Sequence, residues 1–336
     1  MPTIKDIAQK AGVSVATVSY VLNNNRFVSA DKRERILDAI KELNYVPNAV
    51  ARGLRVRESK AISLIVSDIT NPFYPDLAKA CEDVAQSLGY TVNMINTNDV
   101  SSRVELAASQ LLEGKIDGLI LTVALERDRP VIERLLEGDY PVVLAHRGLD
   151  HLKADIVVSD NFDGAVQATN HLIRLGHKRI SLMTGVEGSS VTAARLNGYL
   201  HSMKLAGLAV MPEWLPSGGA RYAKSYEATK TLLQLPANQR PTAVINISDI
   251  GALGVIDAAM DSGLRIPDDL GVVGFDDLFI SAIRRVQLTT VKIPRYELGQ
   301  RATELLLQRI GRTRDEPREI VLPVELIVRQ TCGAAN

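Results

Sequence analysis

Apolar residues recur along this chain with two different periods, and the change between them divides it. Over the first sixty residues the spacing is helical. Ile7, Ala8 and Ala11 fall at i, i+3/i+4 steps and make one stripe; Val18, Val21 and Leu22 make another. Thr3 with Asp6 three positions on is a capping-box pattern, and Gly12 stands where the first helix must stop, since glycine turns left-handed without penalty. Ser14 is placed to cap a second helix, 15–22, whose outward positions are Val15, Ala16, Thr17, Ser19, Tyr20 and Asn23. Ser29 is expected to cap a third, with Ile36, Leu37, Ile40 and Leu43 closing a small core. Such a pair of helices, the second presenting small, polar and aromatic groups, is a helix-turn-helix suited to the major groove.

From Ala61 strands and amphipathic helices alternate. AISLIVSDI (61–69) reads as a strand, followed by helix 74–88, strand 91–97, helix 103–114, strand 117–123, helix 130–137 and strand 141–146. A second series runs through IVVSDN, helix 162–175, RISLMTG, helix 190–207, a short strand near Trp214, helix 223–234, AVINIS, helix 250–262 and LGVVGFDD. The tail, LTTVKIP, helix 295–310 and IVLPVELIVRQ, is expected to cross back and complete both sheets. This alternation predicts right-handed βαβ units. The expected fold class is therefore a small all-α helix-turn-helix domain followed by α/β, with two Rossmann-like lobes built on parallel sheets. The boundaries read as 1–46 for the head, 47–60 for a linking helix and 61–336 for the body. Lobe one takes about 61–160 plus 292–321, and lobe two about 161–291 plus 322–331.

Charge sharpens the division. Residues 1–60 hold eleven Lys/Arg against six Asp/Glu, a net +5, which the rest of a formally neutral chain offsets. A basic head on an acidic body is the asymmetry expected where one end meets phosphate. Between them, Asn48 to Arg55 combines apolar Ala49, Val50 and Leu54 with basic Arg52 and Arg55, and it contains Gly53. At about eight residues such a helix is unstable alone in water.

The run TIKDIAQKAGVSVATVSYVLN, continued by NYVPNAVARGLR (44–55), resembles the DNA-binding signature of the LacI/GalR family of bacterial transcription regulators. The resemblance extends over essentially all of 61–331, where that family's body is similar to periplasmic sugar-binding proteins of type I. It implies a cytoplasmic, nucleoid-associated regulator, most often a repressor, bound as a homodimer to a pseudo-palindromic operator in double-stranded DNA. By this likeness Val15, Ala16 and Tyr20 read bases, Thr17, Ser19, Asn23, Asn25 and Arg26 lie on phosphates, and Thr3 and Ser14 belong to the same DNA-binding set. Tyr20 replaces the arginine or histidine common there, which weakens bidentate guanine readout. The segment 48–55 corresponds to a hinge helix in the minor groove. There Ala51 and Arg55 flank Leu54, which wedges into a base step. No leucine-heptad tail follows the last strand, so a tetramer built on one is not expected.

In open parallel sheets ligands bind beyond the carboxyl ends of the strands. That rule selects Asn71, Phe73 and Tyr74; Arg147; Ser189 and Arg195; Ser248 and Asp249; and Asp276 and Asp277. Asn, Arg and Asp groups beside an aromatic face suit a polyhydroxylated ring. NPFY, the RxxGY spacing at Arg195 and GFDD at Asp276 are similar to the family's effector-contact motifs, implying a sugar-like effector. The chain departs from that pattern at His146, which precedes Arg147 where an aspartate is usual, and at Ser248, where asparagine is frequent. The position of a second aromatic platform falls on Ala220, leaving Tyr222 as the candidate replacement. Ser189 stands where the purine repressor uses an arginine, against a purine corepressor. Arg221 and Lys292 add positive charge near the expected cleft.

Enzymatic readings find little. GGARYAKS has Ala223 where a phosphate-binding loop requires glycine before Lys-Ser, no GxGxxG follows the first strand and no GxSxG is present. His171, His177 and His201 lack an obvious neighbouring nucleophile. Neither metal spacing nor a cofactor motif appears, and no apolar run reaches bilayer-spanning length. Cys81 and Cys332, the two cysteines, fit a reducing compartment.

Overall fold

The computed structural model describes residues 2–23, 26–45, 58–314 and 316–333. The chain folds as two compact units, Met1–Ser59 and Lys60–Asn336.

In the first unit three helices, Ile4–Ala11, Val15–Asn23 and Ala30–Glu42, enclose Ile7, Ala8, Ala11, Val18, Val21, Ile36 and Ala39. Thr3 and Asp6 form the reciprocal capping box, and Gly12 closes the first helix at φ 64°. Ser14 Oγ accepts the Thr17 N–H at 3.1 Å. Two expectations need correction. Ser29 makes no side-chain cap bond, so the third helix starts without one. Leu37 is 51% exposed, because it lies one step round the helix from the buried Ile36 and Ala39.

The second unit holds two sheets. One has the order β10-β5-β4-β3-β1-β2, all parallel, with β1 Ala61–Val66, β2 Thr91–Asn96, β3 Gly118–Leu121, β4 Val142–Ala145, β5 Asp155–Ser159 and β10 Glu319–Leu322. The other has the order β11-β9-β8-β7-β6, with β6 Ile180–Met183, β7 Ala243–Asn246, β8 Gly271–Asp276, β9 Thr289–Lys292 and β11 Glu325–Ile327. Its strands are parallel except β11, which runs antiparallel to β9 because only two residues separate it from β10 in the other sheet. The segment IVVSDN, read as opening the second series, instead pairs with β4 in the first sheet. The strand expected near Trp214 is a 3₁₀ turn, Pro212–Trp214, with only an isolated bridge between Thr184 and Ser217 beyond it.

Strands buried on both sides explain the continuous apolar runs. The helix Arg295–Ile310 packs across β3, β4 and β5 and against the helix Tyr74–Ser87. That contact needs Gly299, where a Cβ would stand 2.3 Å from the Leu77 carbonyl. Asp155, wholly buried at the start of β5, binds Arg309 at 2.6 Å and Arg314 at 2.5 Å and accepts the Arg318 N–H at 2.8 Å. It thus fastens the returning tail to lobe one. No described helix is long and apolar enough to cross a membrane.

Removing one partner of a buried ion pair typically costs about 3–5 kcal/mol. Asp155→Ala should lower the unfolding free energy in urea by about that amount, since it strands two guanidinium groups. A loss below about 1 kcal/mol would mean the tail is held by packing alone.

Candidate nucleic-acid interface and ligand cleft

On the helix Val15–Asn23 the apolar side faces inward, and Val15, Ala16, Thr17, Ser19 and Tyr20 stay wholly or partly accessible. The Arg26 guanidinium sits 5.2 Å from the centre of the Tyr20 ring and donates to its hydroxyl at 3.5 Å. The two side chains are thereby held together on the accessible side of the head. Thr3 is committed to the cap: its N–H and hydroxyl both donate to Asp6 Oδ2, at 2.7 and 2.8 Å. Those bonds, the backbone one first, lower the Asp6 pKa. Ser14 likewise shares its hydroxyl with that of Thr17 at 2.8 Å. Asn25, Ala51, Leu54 and Arg55 lie outside the described residues, as does the side chain of Asn23. Phe27, which helical periodicity did not select, is 96% exposed beside Arg26.

In the second unit a cleft of about 800 Å³ opens between the carboxyl edges of the two sheets. All nine residues proposed to meet a ligand line it: Asn71, Phe73, Tyr74 and Arg147 from lobe one, and Ser189, Arg195, Tyr222, Ser248 and Asp276 from lobe two. They are not equally free. Asn71 Oδ1 accepts the Phe73 N–H at 3.0 Å, which shapes the turn into the helix Tyr74–Ser87. Phe73 packs edge-on to Tyr74 at 5.3 Å and against His146 at 4.5 Å between ring centres, and Tyr74 shares a 2.7 Å hydrogen bond with Ser67. Arg147 is held by Asp99 at 2.7 Å. Ser248 is fully used as a cap, accepting Gly251 N–H at 3.0 Å and donating to the Gly219 carbonyl at 2.9 Å. Tyr222 donates its hydroxyl to Asp257 at 2.6 Å, so its polar end is committed to a neighbouring helix. Ser189 precedes the helix Ser190–Leu205 without capping it.

Arg195 is the most constrained. Its Nε donates to Asn161 Oδ1 at 2.9 Å, its Nη1 donates to the Ile247 carbonyl, and the guanidinium lies 4.0 Å over the Phe275 ring. Its Nη2 is buried with no partner among the described residues. Burial lowers its pKa to about 10, against the opposing pull of Asp276 and Asp249. Asp276 sits at φ 115° at the end of β8, a conformation costing of order 1–3 kcal/mol for a residue with a Cβ. Burial, then the charge of Asp249, raises its pKa above the carboxylate range, against Arg195 and Arg295. Burial, then Arg147 and Arg195, holds His146 well below its usual pKa and keeps it neutral.

Several expectations resolve differently. Asp249 is outside the cleft lining; its carboxylate accepts from Thr290 Oγ1 at 2.5 Å, Ser281 Oγ at 2.7 Å and Leu278 N–H at 2.8 Å, bracing the β8–β9 connection. Asp277 is paired with Arg329 at 2.6 Å. Arg221 lines the cleft but Lys292 does not, since it ends β9 as an exposed residue. His171 does have a thiol beside it, Cys332 Sγ at 3.2 Å, though Cys332 is wholly buried and lines no part of the cleft. Asp99 was missed, yet it follows β2 and the strand-end rule would have found it. Among the described residues no His, Cys, Asp or Glu group could hold a metal ion.

A basic helix-turn-helix head joined to a two-lobed body with a polar cleft defines a transcription regulator with an effector-binding domain. Residues 3–48 match the family model for bacterial regulatory proteins of the lacI family, and residues 59–330 match that for periplasmic binding proteins and the sugar-binding domain of the LacI family. The chain belongs to the LacI family. It is 36% identical to the ribose operon repressor of Haemophilus influenzae and 34% identical to the HTH-type transcriptional repressor PurR of Pasteurella multocida, with 98% of both chains covered in each case. The lac repressor dimer bound to operator and the anti-inducer ONPF superposes with a TM-score of 0.88 at 30% identity, over 99% of both chains. The CelR–cellobiose complex does so at 0.75 and 29% identity, over 98% of this chain and 100% of that one.

Two of the shifted cleft groups, Asp276 and His146, give stability opposite slopes. Asp276 keeps a proton in the native state that the unfolded chain releases above about 3.8, so its contribution is lost as pH rises toward its folded pKa. His146 stays neutral when folded, so its contribution is lost as pH falls below about 6.5. In thermal melts from about pH 5 to about pH 9, Asp276→Asn should flatten the alkaline decline. An undiminished decline would show that Asp276 is already ionised in the native protein.

Proposed function

We propose that this chain represses transcription as a homodimer on a pseudo-palindromic operator and that a sugar-like molecule in the cleft sets its operator affinity. The observation that carries the ligand reading is the unpartnered Nη2 of Arg195, a buried donor in the cleft wall. A buried donor left without a partner is costly, and a ligand hydroxyl would relieve that cost. The Phe73 ring and the Asp276 carboxyl supply the stacking face and a second polar contact for the same ring. In the head, Val15, Ala16 and Tyr20 read base edges, with Thr17, Ser19, Asn23, Asn25 and Arg26 on phosphates. Ala51, Leu54 and Arg55 follow into the minor groove, Leu54 as the wedge. The unpaired edge of β2, with Met94 37% exposed, offers apolar surface to a second copy. The protein acts in the cytoplasm by binding alone, with no chemical step and no cofactor. Ligand shifts the lobes, and so the hinge segments, only as far as its affinity differs between the two states.

A second reading, an anionic sugar derivative, is favoured by Arg221 and Lys224. Both line the cleft, and neither side chain has an ion pair or hydrogen bond among the described residues. The ribose and PurR relatives differ in the class of ligand their names suggest, so overall identity does not choose.

A thermal-shift panel of neutral sugars, sugar acids, sugar phosphates, nucleosides and amino acids tests both readings. A ligand at hundredfold excess over its Kd should add about 2.7 kcal/mol. Neutral hits support the hydroxyl-reading site, anionic hits alone support Arg221 and Lys224, and silence removes the sugar assignment. Independently, Leu54→Ala should weaken operator binding on the order of tenfold, about 1.4 kcal/mol, while ligand affinity holds. Equal operator affinity for the variant would remove the wedge.

A further inference from the structure

Two consecutive residues at the carboxyl end of β8 are left-handed: Asp276 at φ 115° and Asp277 at φ 52°. Neither is glycine, and adjacent outliers of this kind persist only where surrounding contacts over-determine them. Two arginines from distant parts of the sequence hold the pair. Arg329 donates to Asp277 Oδ1 at 2.6 Å and to the Leu288 carbonyl at 2.8 Å, all within lobe two. Arg295 does something different. Its Nη1 donates to the backbone carbonyls of Asp276 and, at 3.3 Å, of Asp277. Its Nη2 and Nε donate to Asp76 Oδ2, at 2.7 and 3.2 Å. Asp76 lies in the first turn of the helix Tyr74–Ser87, directly behind the Phe73–Tyr74 wall of the cleft.

One side chain therefore joins the floor of the cleft in lobe two to its aromatic wall in lobe one. A guanidinium is suited to this, because its donors point in fixed directions and can hold two carbonyls and a carboxylate together. The Arg295 side chain is 11% exposed, so water competes little for its bonds to the two carbonyls, while Asp76 at the other end is half-exposed. We propose that Arg295 is a positioning residue of the cleft, fixing the left-handed backbone that presents the Asp276 carboxyl and coupling it through Asp76 to the Phe73–Tyr74 wall. Asp276 cannot change its backbone without disturbing Arg295, and Arg295 cannot shift without loosening Asp76. That the cleft is the ligand site is taken from the reading above; the coupling itself can be tested without ligand.

Hydrogen exchange on the full-length protein reads it directly. The Leu278 amide donates to Asp249 and the Asp277 amide to Thr290 Oγ1, so both report on the left-handed pair. Arg295→Gln should speed exchange in a peptide covering 277–278 by about fivefold or more, the lower end of site-to-site coupling. Asp76→Asn should do the same although Asp76 touches nothing in that peptide, and the double variant should exceed Arg295→Gln little, since the two act in series. Arg295→Lys should restore little of the protection. Asp76 is half-exposed, so its variant keeps the test open should Arg295→Gln fail to fold. Unchanged exchange at 277–278 in Asp76→Asn overturns the coupling. Silence in the ligand panel, by contrast, removes the sugar assignment and leaves the exchange result standing.

Discussion

The body of this protein depends on the chain passing between its two sheets three times. It leaves lobe one after β5, returns after β9 and divides its last two strands, β10 joining the first sheet and β11 the second. Neither sheet is complete without sequence that is remote from most of it. The carboxyl ends of both sets of parallel strands meet along the line of these crossings, which is why the cleft forms there. Two of the bonds that matter most lie close to the same line: Asp249 braces the approach to β9, and Arg295 stands three residues beyond β9 where the chain enters lobe one; Asp155, at the amino end of β5, fastens the returning tail to lobe one from the opposite edge of the sheet. All three hold backbone or side chains from far along the sequence, and of the three Arg295 is the one that bonds across from lobe one to lobe two.

How legible this was follows from the range of the interactions. Helical and strand periods are local, so the head core, the two α/β series and their order could be read from residues such as Ile7, Val18 and the run AISLIV. Gly12 was readable because its conformation is set within one turn. The strand-end rule placed eight cleft residues around one cavity because parallel topology carries the positional information and the side chains need only follow it. What failed was decided by partners far away. IVVSDN has the same local pattern in either sheet, and only its pairing with β4 and β10 assigns it. Asp249 and Asp276 both follow strands, yet Thr290 and Ser281 turn the first into a brace. Leu37 is apolar beside two core positions, and one helical step sets it in water. Nothing in the sequence near Asp76 or Arg295 announces that they meet.

The cleft concentrates charge where water is scarce, and its chemistry follows from how each charge is met. Arg147 has Asp99, and Asp277 has Arg329. Among the described residues Arg195 has a carbonyl, an amide oxygen and an aromatic face but no carboxylate within bonding distance, and Asp276 has no cation bonded to its carboxyl. Direct pairing of these two would make a closed ion pair with little left to offer a ligand. Separation leaves one unspent donor and one carboxyl that burial drives toward its neutral form. A neutral carboxyl both donates and accepts, so it can meet either end of a ligand hydroxyl's bonding needs. The empty side of that arrangement suits a polar, uncharged ring better than a strong ion at this depth.

If the proposed sugar-like ligand occupies the cleft, ring recognition and ring size would fall to different walls. Lobe one offers Phe73, braced by His146 and Tyr74 so that its face cannot rotate freely. Lobe two offers Ala220 where a second ring would close the opposite side, and Tyr222 has its hydroxyl tied to Asp257. A cleft with one aromatic wall and one small wall holds a ligand firmly at one end and loosely at the other. On the proposed reading, selectivity for the near end would fall to Phe73, Arg195 and Asp276, whose geometry is fixed by bonds within the fold. At the far end stand Arg221 and Lys224, exposed and without a side-chain partner among the described residues, and on the proposed reading it is there that a change of substituent would be tolerated or rewarded.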